Sequence, residues 1–396
     1  MPTILTLTAL CATNAERRFD VTNRGGVRLL CPLLITKDDG CGAFFDVESA
    51  TQPSEKNGGL IEKDETGEME ETGKMGDVGV PFWRRSGARY FPLSAYFKRE
   101  FGGIVRKISV DAHFSCPNID GTVGRGGCIY CDAVSFSPGR FFGLDDLDAQ
   151  LDDGIRQLRR RFDVDRFIAY FQPSTNTHAP LDELRRKYEI ALRRPEVVGL
   201  AIGTRPDALP DPVLDLLAEI AREKWLALEI GLQSANDATL KFFNRGHDVA
   251  TFVDAVCRAK ERGLRLGTHV ILGAPGETRD DMRRTARLVA ELGFHSLKLH
   301  HLYVVRNTKL ARLWEAGEVE PPALNDYAEA VVDFLELQSP ETVIERISGE
   351  ASEPYLLAPD WTAKKHAARN AVDVVFRRRD SWQGKFFQDA KKTEER

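Results

Sequence analysis

From about Tyr90 onward, short apolar runs rich in β-branched and aromatic residues alternate with longer amphipathic segments. Runs of this kind typically form buried strands, and the segments between them have the spacing of helices. The six predicted strands are 105–112, 166–172, 197–204, 226–233, 264–273 and 296–305. Strands that alternate with helices form a parallel sheet, either open or closed wholly or partly into a barrel. In each case the chemistry is expected at the carboxyl ends of the strands.

The composition is that of a globular protein without an obvious polyanionic or membrane partner. The 396 residues are 42% hydrophobic and 29% charged, with a net charge of -5. We find no apolar run of about eighteen residues that would predict a membrane span. The first ten residues lack the basic start of a signal peptide. A cytoplasmic location is therefore expected, with no membrane partner.

Residues 1–85 do not share the regular pattern. The stretch from Ser49 to Val80 is rich in Glu, Gly, Lys and Thr and has almost no apolar periodicity, which favours disorder. We interpret 1–85 as a disordered extension, or as a stretch upstream of the true start, for which Met75 is a candidate. Residues 90–305 are predicted to form the core barrel. Residues 306–390 are predicted to continue the fold as an extension with helices and one strand-like segment, 342–349.

Three cysteines, Cys116, Cys128 and Cys131, lie within sixteen residues directly after the first predicted strand. The seven cysteines of the chain are an odd and uneven set, so a disulfide framework is not expected. In a reducing compartment such a cluster predicts a metal or redox site. Zinc requires four closed ligands, and His113 could be the fourth. Three thiolates instead suit a [4Fe–4S] cluster with one open iron, which the spacing and position favour. Cys257 is expected to be an ordinary buried thiol.

Several motifs together resemble the radical S-adenosylmethionine (SAM) superfamily, and most closely its YhcC family. They are "DAHFSCPNIDGTVGRGGCIYCD", "YFQPSTNTHAP", "GTRPD", "EIGLQS" with "NRGHD", and "ILGAPGET", and the resemblance covers roughly residues 90 to 385. Eleven residues separate the first two cysteines, as in the branch near the Elongator catalytic subunit. The resemblance implies a partial (β/α)6 TIM-like barrel with a C-terminal helical extension.

The resemblance also implies the chemistry. A [4Fe–4S] cluster on Cys116, Cys128 and Cys131 would bind SAM through its fourth iron. An electron donor such as flavodoxin or ferredoxin would reduce it. Reductive cleavage of SAM would yield a 5′-deoxyadenosyl radical that abstracts hydrogen from an unknown substrate. RNA is a possible substrate class, since the segment from Trp361 to Arg396 holds ten Lys and Arg against five Asp and Glu. The preferred interpretation of that segment is nevertheless a solvated helical face whose aromatic residues pack on the barrel. The alternative function is a non-catalytic zinc-binding protein.

Polar residues at the predicted strand ends are the candidates for SAM binding. Glu229, Gly231 and Gln233 share one strand face, which is predicted to line the lumen. The candidate SAM-binding residues are Tyr130, Gln172, Thr175, Asn176, Thr204, Arg205, Gln233, Arg245 and Gly273. Turn formation, or pairing of the arginines with Asp207 or Asp248, is the alternative role for several of them. The candidates for substrate contact or proton donation are His269, Lys298, His300 and His301, although a histidine within a strand is more often a hydrogen-bonded core residue.

Overall fold

A parallel seven-stranded sheet forms the centre of the computed structural model, which describes residues 16–22, 28–34, 80–137, 146–351 and 354–388. The strands are β1 (Glu16–Thr22), β2 (Arg28–Leu34), β3 (Arg106–Val110), β4 (Phe167–Phe171), β5 (Val197–Thr204), β6 (Trp225–Gln233), β7 (Arg265–Leu272), β8 (Ser296–His301), β9 (Val304–Val305), β10 (Val343–Arg346) and β11 (Leu356–Ala358). The large sheet has the order β10-β8-β7-β6-β5-β4-β3, with every pair parallel.

Helices connect successive strands and cover the outside of the sheet. They are α1 (Phe82–Arg85), α2 (Leu93–Phe101), α3 (Leu147–Arg161), α4 (Leu181–Leu192), α5 (Asp211–Glu223), α6 (Asp237–Phe242), α7 (Val249–Glu261), α8 (Arg279–Leu292), α9 (Lys309–Glu315), α10 (Leu324–Glu336) and α11 (Ala367–Arg378). The six predicted strands are confirmed as β3 to β8. The structure adds β10, from the segment predicted to be strand-like, as a seventh parallel strand beside β8.

Strand β6 shows how the sequence pattern becomes two faces. Leu228, Ile230 and Leu232 are fully buried in the core between sheet and helices. The alternate residues point the other way, into the lumen, as the two-residue period predicts. Burying large aliphatic side chains contributes roughly 1.5–3 kcal/mol each. That contribution keeps the register of the strand in place.

The sheet curls so strongly that its two edge strands meet through their side chains. Lys107 on β3, at one edge, forms an ion pair with Glu345 on β10, at the other edge. The same ammonium lies 2.9 Å from a carboxylate oxygen of Glu229 on the central strand β6. Such contacts across the lumen require a partial barrel, so the predicted TIM-like architecture is confirmed.

Aromatic side chains of α2 and the segment before it close the amino-terminal end of the sheet. Phe91, Tyr96 and Phe97 are buried against Ile168 and other lumen residues. The indole nitrogen of Trp225, the first residue of β6, donates to the Tyr96 hydroxyl at 3.1 Å. Because this end is filled, the carboxyl end of the strands is left for the site.

Within the predicted extension 1–85, the structure describes the antiparallel pair β1–β2 and residues from 80 onward. The remaining part of that prediction, including Met75, lies outside the described residues. Trp83 is buried and donates to the Pro340 carbonyl at 2.9 Å. Cys257 is buried in α7 and is disulfide-bonded, so the interpretation as an ordinary thiol was wrong.

The C-terminal residues pack on the barrel. Tyr327 and Phe334 on α10 and Phe376 on α11 belong to the core that covers the sheet. The basic residues at the end of α11 are largely neutralised, because Arg378 and Arg379 form ion pairs with Glu329 on α10. This favours the interpretation of the segment as a packed helical face. The boundary between barrel and extension stays a prediction. None of the described helices has the length and apolarity needed to cross a bilayer.

Candidate active site

The cysteine loop begins where β3 ends and folds over Asn118. Backbone bonds from Ile119 to Cys116 (2.8 Å) and from Cys131 to Cys128 (3.1 Å) form its two turns. Gly126 and Gly127 have φ of 81° and 69°, in the region that favours glycine. A Cβ at Gly124 would overlap the Asn118 side chain. The glycines therefore allow the loop to fold onto its own asparagine.

The three thiols of this loop are free. Cys128 is buried, Cys116 is half-buried and Cys131 is exposed. In the described ranges, no group of three or more His, Cys, Asp or Glu side chains is arranged in metal-binding geometry. The proposed fourth zinc ligand, His113, lies 3.9 Å from the Asp111 carboxylate.

Arg245, which follows α6, reaches across to the cysteine loop. Its Nη1 lies 3.4 Å from the sulfur of Cys128 and 3.5 Å from the Tyr130 hydroxyl, while Nη2 donates to the Gly231 carbonyl at 3.0 Å. Burial raises the pKa of the Cys128 thiol, but the charge of Arg245 outweighs burial and holds that pKa below its usual value. A lowered thiol pKa favours the thiolate, which is the form that binds metal.

Asn118 and Asn244 fasten the loop to the segment after α6. The Asn118 amide donates to the Asn244 carbonyl at 2.5 Å, and the Asn244 amide donates to the Gly127 carbonyl at 2.7 Å. Asn244 has a φ of 53°, a conformation that asparagine tolerates. Sequence reasoning missed both residues. Asn118 lies between two of the three cysteines in the sequence, and this position is the signal that could have identified it as a residue of the site.

Arg205 pairs with Asp207, the alternative that the sequence left open. Its Nε and Nη2 lie 2.9 and 2.6 Å from the two carboxylate oxygens, and Nη2 also donates to the Arg245 carbonyl at 2.5 Å. Its Nη1 is buried without a hydrogen-bond partner among the described residues. Arg245 does not pair with Asp248, which instead caps α7 through Thr251.

The segment after β4 combines structural bonds with unpaired atoms. The Asn176 amide nitrogen donates to the carbonyls of Phe171, Pro173 and Gly203, each at 3.0 Å. The Asn176 Oδ1 and the Thr175 hydroxyl are buried, and the described residues provide no partner for either atom. Because an unpaired buried polar atom costs free energy, these atoms are suited to a bound ligand.

The remaining candidates are divided between turns and the lumen. Gln172 accepts from Ser109 at 2.9 Å, and the Thr204 hydroxyl lies 2.5 Å from that of Thr177. Gln233 ends β6 with a φ of 73° and is nearly buried. Gly273 has a φ of 85°, and a Cβ there would lie 2.7 Å from Pro322. Gly273 therefore permits the approach of the C-terminal segment.

Below this site, a layer of paired charges fills the lumen. The buried carboxylate of Glu229 pairs with Lys107, with Lys298 and, at 2.8 Å, with the His269 ring. Lys298 also donates to the Tyr170 hydroxyl at 2.9 Å. Burial by itself raises the pKa of Glu229, but the two lysines outweigh burial, and that pKa lies well below its usual value.

The arrangement fits the cofactors of a radical enzyme. Three free thiols share one loop, Arg245 supplies positive charge beside one of them, and unpaired polar atoms of Thr175 and Asn176 lie at the carboxyl ends of the strands. Thiolates are the usual ligands of iron–sulfur clusters. Amide and hydroxyl oxygens accept hydrogen bonds from a ligand, and a hydroxyl also donates one.

Comparison with known proteins agrees with this geometry. The radical SAM superfamily matches residues 120–289, and its C-terminal domain matches residues 294–377. YtqA of Bacillus subtilis is 39% identical over 302 residues, which cover 76% of this chain and 93% of YtqA. YhcC of Escherichia coli K12 is 40% identical over 283 residues, which cover 69% of this chain and 88% of YhcC.

Among solved structures, the archaeal Elp3 of Methanocaldococcus infernus has the same fold. The TM-score is 0.52 at 15% identity, with 70% of this chain and 64% of the Elp3 chain covered. The cofactors of the superfamily are a [4Fe–4S] cluster and SAM. The chain therefore belongs to the radical SAM superfamily, in the family of YhcC and YtqA, and is a radical SAM enzyme.

Proposed function

We propose that Cys116, Cys128 and Cys131 hold a [4Fe–4S] cluster, and that SAM binds beside it at the carboxyl ends of the strands. Once bound, these cofactors would supply one-electron cleavage of SAM to methionine and a 5′-deoxyadenosyl radical, which would abstract hydrogen from a substrate. The 3.4 Å approach of Arg245 to Cys128 is the observation that carries the proposal, because a buried cation there stabilises a ligating thiolate.

The residues around the loop have separate tasks in this proposal. Asn118 and Asn244 hold the loop in place through their bonds to each other and to Gly127. Thr175 and Asn176 offer unpaired oxygen atoms to SAM, and Arg205 offers its unpaired Nη1. The candidates Tyr130, Gln172, Thr204, Gln233 and Gly273 stay in the proposal as residues that line or shape this site.

The zinc alternative is not favoured. A closed zinc site needs four ligands. The His113 ring lies beside the Asp111 carboxylate, and the backbone N–H of His113 donates to that carboxylate at 2.8 Å. The loop therefore offers three thiols, a number that leaves one iron of a cubane cluster open to SAM.

We propose RNA as the substrate class. Support comes from a tRNA uridine(34) acetyltransferase of Dehalococcoides mccartyi, which is 29% identical over 170 residues, or 42% of this chain and 36% of that protein. The basic C-terminal segment adds little support, because Arg378 and Arg379 are engaged by Glu329. The electron is proposed to come from a flavodoxin or a ferredoxin.

Anaerobic reconstitution of the full chain with iron and sulfide tests the proposal. Dithionite and SAM are then added, and 5′-deoxyadenosine and methionine are quantified by chromatography. We expect both products from the wild type, and neither from Cys116→Ala, Cys128→Ala or Cys131→Ala. Thr122→Ala is the matched control, since its exposed hydroxyl donates to Asp120 within the same loop and contacts none of the three cysteines among the described residues. Tight zinc binding without iron uptake would overturn the assignment.

The substrate class needs a separate measurement. The reduced, loaded enzyme is incubated with SAM and bulk tRNA, and the RNA is digested to nucleosides for mass spectrometry. A nucleoside of altered mass that depends on Cys128 supports the RNA assignment. The assay is run with tRNA and with ribosomal RNA, both from cells that lack the enzyme. SAM cleavage without an altered nucleoside in either RNA contradicts the RNA assignment.

A further inference from the structure

A group of hydrogen-bond donors lies beyond the cysteine loop, near the carboxyl ends of β8 and β10. The Nε2 of His300 is buried and has no partner among the described residues. Its ring stacks on His269, with centroids 5.9 Å apart and an interplanar angle of 17°. His269 in turn bonds to Glu229, so the stack holds His300 in position. A positioned imidazole with an unpaired nitrogen is suited to contact a ligand.

A bulge in β10 places Arg346 beside β8, the strand that carries His300. The pairing of β10 with β8 shifts between Ile344 and Arg346, so that Arg346 is opposite Lys298 in the register. Bulges redirect side chains and are frequent beside active sites. The preceding carboxylate, Glu345, is engaged by Lys107 and Lys298. Among the described residues, no carboxylate forms an ion pair with Arg346. The positive charge of its guanidinium is therefore available to an anionic ligand.

Tyr303 completes the group. A Cβ at Gly349 would lie 2.5 Å from the Tyr303 ring and 3.2 Å from Nδ1 of His300, so the backbone there closely approaches both rings. Burial raises the pKa of Tyr303 to about 12, and the charges of Arg346 and Cys131 also act on it. The phenol therefore stays protonated. Burial and then Arg346 hold the pKa of His300 well below its usual value.

We propose that His300, Tyr303 and Arg346 bind an oxyanion of the substrate. The three side chains offer an imidazole, a phenol and a guanidinium, and a guanidinium forms a bidentate fork with phosphate or carboxylate. This inference rests on the proposed function, in which the substrate is RNA, and assigns the oxyanion as a phosphate beside the modified nucleoside. The site would place that nucleoside next to the cysteine loop.

Isothermal titration calorimetry of the reconstituted full-length protein at low ionic strength tests this site. The probes are inorganic phosphate, uridine 5′-monophosphate and acetate. We expect Arg346→Gln to weaken phosphate binding by about ten-fold or more, as the loss of a charge-assisted pair requires. Tyr303→Phe keeps the ring and removes only the hydroxyl, and is expected to weaken binding several-fold. Arg312→Gln, at an exposed arginine on α9, is the matched control and is expected to bind like the wild type.

The outcomes separate the site from the proposed function. Equal phosphate affinity of the wild type, Arg346→Gln and Tyr303→Phe overturns the site, even when the wild type cleaves SAM. Tighter binding of acetate than of both phosphate probes overturns the phosphate assignment and indicates a carboxylate substrate. Phosphate binding that depends on Arg346, in a protein that forms no 5′-deoxyadenosine, supports the site and contradicts the proposed function alone.

Discussion

The guanidinium of Arg245 lies 3.4 Å from the sulfur of Cys128, although 117 positions separate the two residues in the chain. The loop after β3 and the segment after β6 meet because parallel strands present their carboxyl ends at one edge of the sheet. The same guanidinium donates to the Gly231 carbonyl in β6 at 3.0 Å. Arg245 therefore ties the cysteine loop to the centre of the barrel.

Arg245→Gln is expected to weaken cluster retention. The variant removes the charge that favours the Cys128 thiolate, and changes of this kind typically cost about ten-fold or more in metal affinity. Iron retained after a chelator challenge of the reconstituted protein measures the effect. Arg185→Gln, at a surface arginine paired with Glu219 at 2.8 Å, is the control. Retention equal to that of the wild type would show that Arg245 does not support the cluster.

Gln233→Gly is expected to separate ligand binding from folding. Gln233 has a φ of 73°, a conformation that costs a non-glycine residue roughly 1–2 kcal/mol, so glycine relieves strain there. The free energy of unfolding should stay the same or rise slightly. Affinity for SAM, measured by equilibrium dialysis of the loaded enzyme, should fall about three- to ten-fold through loss of the amide. Unchanged affinity would remove Gln233 from the SAM site.

Glu229→Gln is expected to destabilise the fold strongly. The change leaves the buried Lys298 and the half-buried Lys107 with Glu345 as their one remaining carboxylate among the described residues. Breaking a buried ion pair from one side typically costs about 3–5 kcal/mol. Guanidinium unfolding measures the effect against Glu219→Gln, which removes one side of an exposed ion pair with Arg185 and is expected to change the free energy of unfolding little. A loss as small as that of the control would mean that the lysines do not depend on Glu229.

The stability of the protein is expected to fall below neutral pH, in part through His301. Burial lowers the pKa of His301 from 6.5 to about 3. Between these values the unfolded chain binds a proton that the native state does not, so the free energy of unfolding decreases as the pH falls. The contribution is about 1.4 kcal/mol per pH unit.

Denaturant unfolding from pH 7 to pH 4 measures this slope. His301→Gln should reduce it by about that contribution. His366→Asn is the control, because His366 is exposed and has a φ of 68° that asparagine tolerates. If His301→Gln keeps the wild-type slope, His301 does not contribute to it, and the His301 ring accepts a proton in the folded protein as readily as in the unfolded chain.

Local pattern was sufficient for the strands, and it also predicts the chemistry of the cysteine loop. Strand β6 alternates apolar and polar residues, and the two-residue period alone predicts which of them line the lumen. Three cysteines after the first strand predict an iron–sulfur site by their number and position. The seventh strand, β10, was harder to predict, because four residues with two charges carry little periodicity.

The sequence by itself determined the order of βα units, the face of each long strand and the identity of the candidate ligands, because these depend on neighbours within a few residues. Only the tertiary structure decided the partners: Arg245 with Cys128, Arg205 with Asp207, and Lys107 with Glu345 across the lumen. Two of these pairs join distant segments, and their contact depends on how far the sheet curls. That curvature arises from the packing of all strands together, and no short stretch of sequence specifies it.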